Sequence, residues 1–156
     1  MKTKVTLILY QINKALAFEW IIDHIDKEKF ELSFISIGVE KNSVLEQFCK
    51  SKNIEFYSIK YSGKKELPAA VFQIYKILKK IKPDVVHCHI FEGGLIGLIA
   101  AKLAGIKKRI YTRHYSTYHH TYAQAGIKYD KLINALSTEI IAISENVRQI
   151  LIQREG

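Results

Sequence analysis

The stretch Pro83-Asp84-Val85-Val86-His87-Cys88-His89-Ile90-Phe91-Glu92-Gly93-Gly94 decides the fold. An apolar run carries two histidines to its end, and a glycine pair then opens a helix expected over Leu95–Ala104 and closed by Gly105. That is a strand, a turn and a buried helix. In an open α/β sheet, ligands bind at the carboxyl ends of such strands. Packing alone explains two titratable side chains there poorly.

Working outward, strands are expected at Val5–Tyr10, Glu31–Ile37, Ile54–Lys60, Asp84–Ile90, Arg109–Thr112 and Glu139–Ile143. Several are near-continuous in Val, Ile, Leu and Phe, as strands buried on both faces should be. Helices are expected at Ala15–Ile25, Asn42–Ser51, Leu67–Ile81 and Leu95–Ala104, with Ser144 capping a last one. Tyr115–Gly126 reads as a long irregular piece. Strand–helix alternation predicts an α/β fold: a doubly wound, mostly parallel, Rossmann-like sheet with helices on both faces. Residues 1–156 form one domain in this reading. In the common strand order 3-2-1-4-5-6, the loop Gln11-Ile12-Asn13-Lys14 faces the loop after His89 across a crevice, and Arg113-His114 reaches the same rim.

The totals narrow the class. No apolar run reaches the ~18 residues of a membrane span. The opening Met1–Tyr10 reads as a strand rather than a signal peptide. Cys49 and Cys88 form no CxxC pattern, so both are expected as free thiols in a reducing, cytoplasmic setting. A net charge of +9 suits an anionic partner: nucleic acid, anionic lipid or a phosphorylated ligand. The basic residues are spread over separate elements and no nucleic-acid-binding motif is present, so no nucleic acid is expected.

His87 and His89 lie two apart on a strand and share a face. They read either as metal ligands, with His114 the nearest third, or as structural and ligand-contacting histidines without a metal. His89 reads equally as a ligand contact or as support for one. Gly93-Gly94 either offers backbone N–H groups to an anion or permits a tight turn. No GxGxxG follows the first strand, and no GxxxxGK[ST] occurs. The segment Tyr111-Thr-Arg-His-Tyr-Ser-Thr-Tyr-His-His-Thr-Tyr122 offers aromatic and polar edges for a sugar, and Arg113 there suits a phosphate or a carboxylate.

The succession Lys82-Pro-Asp-Val-Val-His-Cys-His89, an apolar glycine-containing helix, Arg109-Ile-Tyr-Thr-Arg-His114 and Ile140-Ile-Ala-Ile-Ser-Glu-Asn-Val-Arg148 resembles the amino-terminal domain of GT-B glycosyltransferases of family 4, or group 1. The resemblance covers nearly the whole chain. It implies one half of a GT-B fold, the acceptor-binding half of a retaining enzyme. Such an enzyme moves a sugar from a nucleotide-sugar, with no metal or other cofactor, to a cell-surface polysaccharide or glycolipid acceptor. It implies that His114 lies by the donor sugar and that Gln11, Asn13 and Lys14 approach the donor diphosphate. His89, Glu92, Gly93 and Gly94 match the crevice wall, and Arg113 and Tyr115 complete the expected substrate contacts. Family members often have a glycine pair after the first strand; this chain has none, and Lys14 is the expected compensation. Family members also continue into a second domain holding the nucleotide site, so the 156 residues alone are expected to transfer no sugar. The basic charge is expected to favour the inner face of an anionic membrane. A metal-dependent hydrolase using His87 and His89, and a non-catalytic Rossmann-like binding module, stand as alternatives.

Overall fold

In the computed structural model, which describes residues 1–155, six parallel strands form one sheet in the order β3-β2-β1-β4-β5-β6. They are β1 (Thr3–Tyr10), β2 (Phe30–Ile37), β3 (Glu55–Ile59), β4 (Val85–His89), β5 (Lys108–Arg113) and β6 (Glu139–Ala142). The expected doubly wound order is the observed one. β1 is central, with Ile8 opposite both Ile35 of β2 and Cys88 of β4. Asp84 staples its start: Lys4 N–H donates to the Asp84 carboxylate at 2.8 Å, and Asp84 N–H donates back to the Lys4 carbonyl at 2.9 Å.

Alternation along the strands sends successive residues to opposite faces. Leu7 and Leu9 join Phe34, Leu45 and Cys49 under α1 (Leu16–His24) and α2 (Val44–Ser51). Ile8, Val86, Cys88 and Tyr111 pack on the other face with α3 (Leu67–Ile81) and α4 (Phe91–Leu103). Cys49 and Cys88 are fully buried and free, and burial raises both thiol pKa values, that of Cys49 to about 12. Ser43 caps α2 by accepting from Glu46 N–H, and Ser144 caps the helix at Glu145–Ile150 by accepting from Val147 N–H.

Two elements differ from expectation. α4 begins at Phe91, four residues before the expected Leu95, because Ile90 makes the turn at φ +65° and Gly94 N–H already closes on the Ile90 carbonyl at 2.8 Å. The chain after β5 holds one short helical turn, α5 (Tyr118–Thr121), and then α6 (Ile127–Leu136), which the sequence reading leaves unassigned. Asp130 occupies an inward position of α6, so the apolar stripe that marks an amphipathic helix is interrupted there. The helix α7 is Glu145–Ile150, and it runs on into a π-helical turn at Leu151–Glu155.

Candidate functional site

The strand order reverses between β1 and β4, which places the switch-point crevice at their carboxyl ends. Gln11 follows β1 with φ +50°, the left-handed region where a side chain is strained and glycine is favoured. Gln11 thus makes, with a full side chain, a turn for which glycine is the favoured residue. Gln11 and Lys14 are exposed at the rim. Asn13 is committed to the scaffold: its Oδ1 accepts from Val44 N–H at 3.1 Å and its carbonyl from Leu45 N–H at 2.8 Å, at the start of α2.

On the facing wall, Ile90 is a β-branched residue at positive φ, a conformation that costs about 1–3 kcal/mol where the surroundings enforce it. It turns the chain straight from β4 into α4. Glu92, half-buried in the first turn, lies near Tyr10 and Tyr61; burial, and then its charge, holds both phenols above their usual range. Gly93 and Gly94 do not line the crevice, which corrects the expectation for this pair. Both are buried against the sheet: a Cβ on Gly93 would stand 3.3 Å from the Ile8 carbonyl, and one on Gly94 would stand 2.6 Å from the Tyr111 ring. They are the small residues that let α4 lie on β1 and β5.

Three histidines meet at the ends of β4 and β5. His87 Nε2 lies 2.7 Å from Thr112 Oγ1, and His89 Nδ1 lies 3.3 Å from His114 Nε2. The His87 and His89 rings are 4.2 Å apart, and Phe18 of α1 stands edge-on to His89 at 5.0 Å. His114 is exposed at the rim. Burial lowers all three pKa values, to about 4 for His87 and about 3 for His89, so the cluster is neutral near pH 7. Among the described residues, no group of three or more His, Cys, Asp or Glu side chains is arranged to hold a metal ion.

The histidines make stability pH-dependent. In the unfolded chain His87 and His89 bind protons near the ordinary 6.5; in the folded chain they do so only near 4 and 3. Between those values the unfolded state holds more protons, so stability rises with pH and is fully present above about 6.5. Urea midpoints should therefore fall as the pH drops from 6.5 towards 4, and replacing His87 by Gln should flatten that slope.

Arg113 and Tyr115 also turn away from the crevice. Arg113 does hold a carboxylate, but an internal one: its fully buried guanidinium lies 3.6 Å from Asp130 and donates to the carbonyls of Tyr115 and Ser116. Its Cζ also sits 4.4 Å from the Tyr115 ring. The Tyr115 hydroxyl donates to Asp130 Oδ1 at 2.5 Å, and His119 Nδ1 meets Asp130 Oδ2 at 2.7 Å. Asp130 is the hub that secures the segment after His114, and sequence reasoning missed it as a lone acid in a segment left unassigned. Tyr118 and Tyr122 of the aromatic segment remain exposed.

The sequence profile of the family described as "Glycosyl transferase 4-like" matches residues 6–147. An Escherichia coli enzyme, UDP-Gal:alpha-D-GlcNAc-diphosphoundecaprenol alpha-1,3-galactosyltransferase, is 44% identical over 45 residues, 29% of this chain and 12% of that one. The lipopolysaccharide outer core galactosyltransferase WaaB has a similar fold, with a TM-score of 0.72 at 17% identity over 99% of this chain and 43% of its own. The UDP-GlcNAc 2-epimerase of Methanocaldococcus jannaschii superposes with a TM-score of 0.71 at 20% identity, over 97% of this chain and 42% of its own. The chain thus spans about two fifths of these structures, whose likeness concerns the fold. The chain belongs to the glycosyl transferase 4-like family and carries one Rossmann-like half of the GT-B fold.

Proposed function

We propose that this chain is the acceptor-side half of a retaining glycosyltransferase that moves a sugar from a UDP-sugar to a lipid-linked or cell-surface saccharide. The observation that carries this reading is His114, exposed at the carboxyl end of β5 and backed by His89 of β4, next to the β1–β4 switch point. His114 contacts the donor sugar; Gln11 and Lys14 approach its diphosphate; Glu92 forms the acceptor wall. The reaction needs no metal and no other cofactor. The E. coli relative's name, which pairs a UDP-sugar with a diphosphate-linked acceptor, supports the choice of substrates. Much of the donor site belongs to a second half of the fold, so these 156 residues are expected to bind a solubilised diphosphate-linked GlcNAc acceptor saturably and to release no product from UDP-galactose. Turnover by this chain alone, or the absence of saturable acceptor binding, overturns the reading.

The charge distribution supports work at the inner face of an anionic membrane. Between Leu67 and Tyr129 there are ten Lys and Arg against two acids, Asp84 and Glu92; Arg109 and Arg113 are buried, and the other eight are lysines. Within this span Phe72 and Leu103 are 58% and 64% exposed and line one shallow hollow with Pro68 and Tyr75. Lys76 Nζ lies 4.9 Å from the centroid of the Phe72 ring. Basic residues near an anionic surface contribute about 1 kcal/mol each. The chain should sediment with equimolar phosphatidylglycerol–phosphatidylcholine vesicles at low salt and not with phosphatidylcholine alone. A Phe72→Ser, Lys76→Glu variant should lose most of that retention. Equal retention on both vesicle types removes the electrostatic account. No helix among the described residues is long and apolar enough to cross a membrane.

A further inference from the structure

His89 is more than nine-tenths buried, and the polar group it meets is His114: its Nδ1 lies 3.3 Å from His114 Nε2. Its other ring nitrogen, Nε2, is enclosed without a hydrogen-bond partner among the described residues. A neutral imidazole carries one N–H and one bare nitrogen. Two arrangements are therefore compatible with the contact. If His114 donated from Nε2, the His89 proton would sit on Nε2 and leave a buried N–H with no acceptor, an arrangement rarely found in folded proteins. If His89 donates from Nδ1, only a lone pair is left enclosed, the less costly of the two.

We infer that His89 is a positioning residue: by donating its Nδ1–H to His114 Nε2, it holds His114 in the tautomer whose own proton is on Nδ1. His114 then meets a ligand as an uncharged N–H donor, suited to an acceptor oxygen of a sugar hydroxyl or a phosphate and unsuited to taking a proton at Nε2. Burial keeps both rings in their neutral forms, which the arrangement requires. The consequence for a ligand rests on the reading of His114 given under Proposed function; the tautomer is a property of the chain alone and fails or stands separately.

The test is a two-bond proton–nitrogen correlation spectrum of the ¹⁵N-labelled chain near pH 7, without ligand, which separates protonated from bare ring nitrogens. The expected result is a proton on Nδ1 of both His89 and His114; a proton on Nε2 of either overturns the inference. His89→Asn, whose amide N–H can take the place of Nδ1–H, should preserve the His114 tautomer. His89→Phe keeps a planar ring but no donor, and should leave His114 a mixture. A folded His89→Phe chain with His114 unchanged overturns the inference; if that variant does not fold, the wild-type and His89→Asn spectra decide it. Loss of saturable acceptor binding would sink the reading of the crevice and leave the tautomer assignment untouched.

Discussion

Replacing Asp130 by alanine should cost about 3–5 kcal/mol of stability, measured as a drop in the urea midpoint with the slope unchanged. The carboxylate is fully buried, and three groups converge on it: the Tyr115 hydroxyl at 2.5 Å, His119 Nδ1 at 2.7 Å and the Arg113 guanidinium at 3.6 Å. Removing it takes a buried carboxylate away from a buried guanidinium and two hydrogen-bond partners, which is the costly way to break such a network. The loss is a large part of the 5–15 kcal/mol typical of a domain. Arg113→Met on its own removes the charge that needs compensation. Adding Asp130→Ala to Arg113→Met should therefore cost less than the two single losses together, by about 0.5–3 kcal/mol. Strict additivity would mean that the pair is not coupled and that the network matters only through its hydrogen bonds. The effect reaches the site because Arg113 directly precedes His114, and its bonds to the Tyr115 and Ser116 carbonyls set the course of the chain just beyond it.

The sheet was legible in the sequence because buried parallel strands leave continuous apolar runs, and all six expected strands exist with ends shifted by one or two residues. The switch point between β1 and β4 was legible for the same reason, since it follows from strand order alone. What stayed hidden was the direction in which individual side chains point. Arg113 and His114 are neighbours in a rim segment, and composition gives both the look of ligand groups. Alternation sends them to opposite faces, His114 to the open rim beside His89 and Arg113 inward to Asp130. That difference could not be read without α6, and α6 was masked by the polar residue it buries. Asn13 shows the same limit: a rim amide in sequence is a capping group for α2 in space. The glycine pair misleads in another way, since both residues serve the close packing of α4 on the sheet.

Gly94→Val should destabilise the fold by about 1–3 kcal/mol or more, although glycine is itself a poor helix former. In a solvent-facing helix, adding a side chain at glycine is favourable by up to about 1 kcal/mol, so the sign here depends on space. A Cβ on Gly94 would stand 2.6 Å from Tyr111 Cε2 and 3.0 Å from Cδ2, inside any contact that real Cβ atoms make. The Tyr111 ring has nowhere to go: it is fully buried on β5, beneath α4 and beside the Arg113–Asp130 network. The helix must therefore lift. Gly105 supplies the contrast, because nothing lies within 4 Å of its added Cβ and its φ of +80° is the reason for glycine there. Gly105→Ala should cost only the backbone strain, about 1 kcal/mol. Shrinking the obstacle should expose the cause: Gly94→Ala combined with Tyr111→Leu should cost less than the sum of the single changes, and additivity would overturn the steric account. Because the first turn of α4 carries Glu92 and begins at the strained Ile90, lifting it also moves Glu92 at the end of β4. Acceptor binding should then weaken more in Gly94→Val than in Gly105→Ala, even when both are compared at temperatures where each is fully folded.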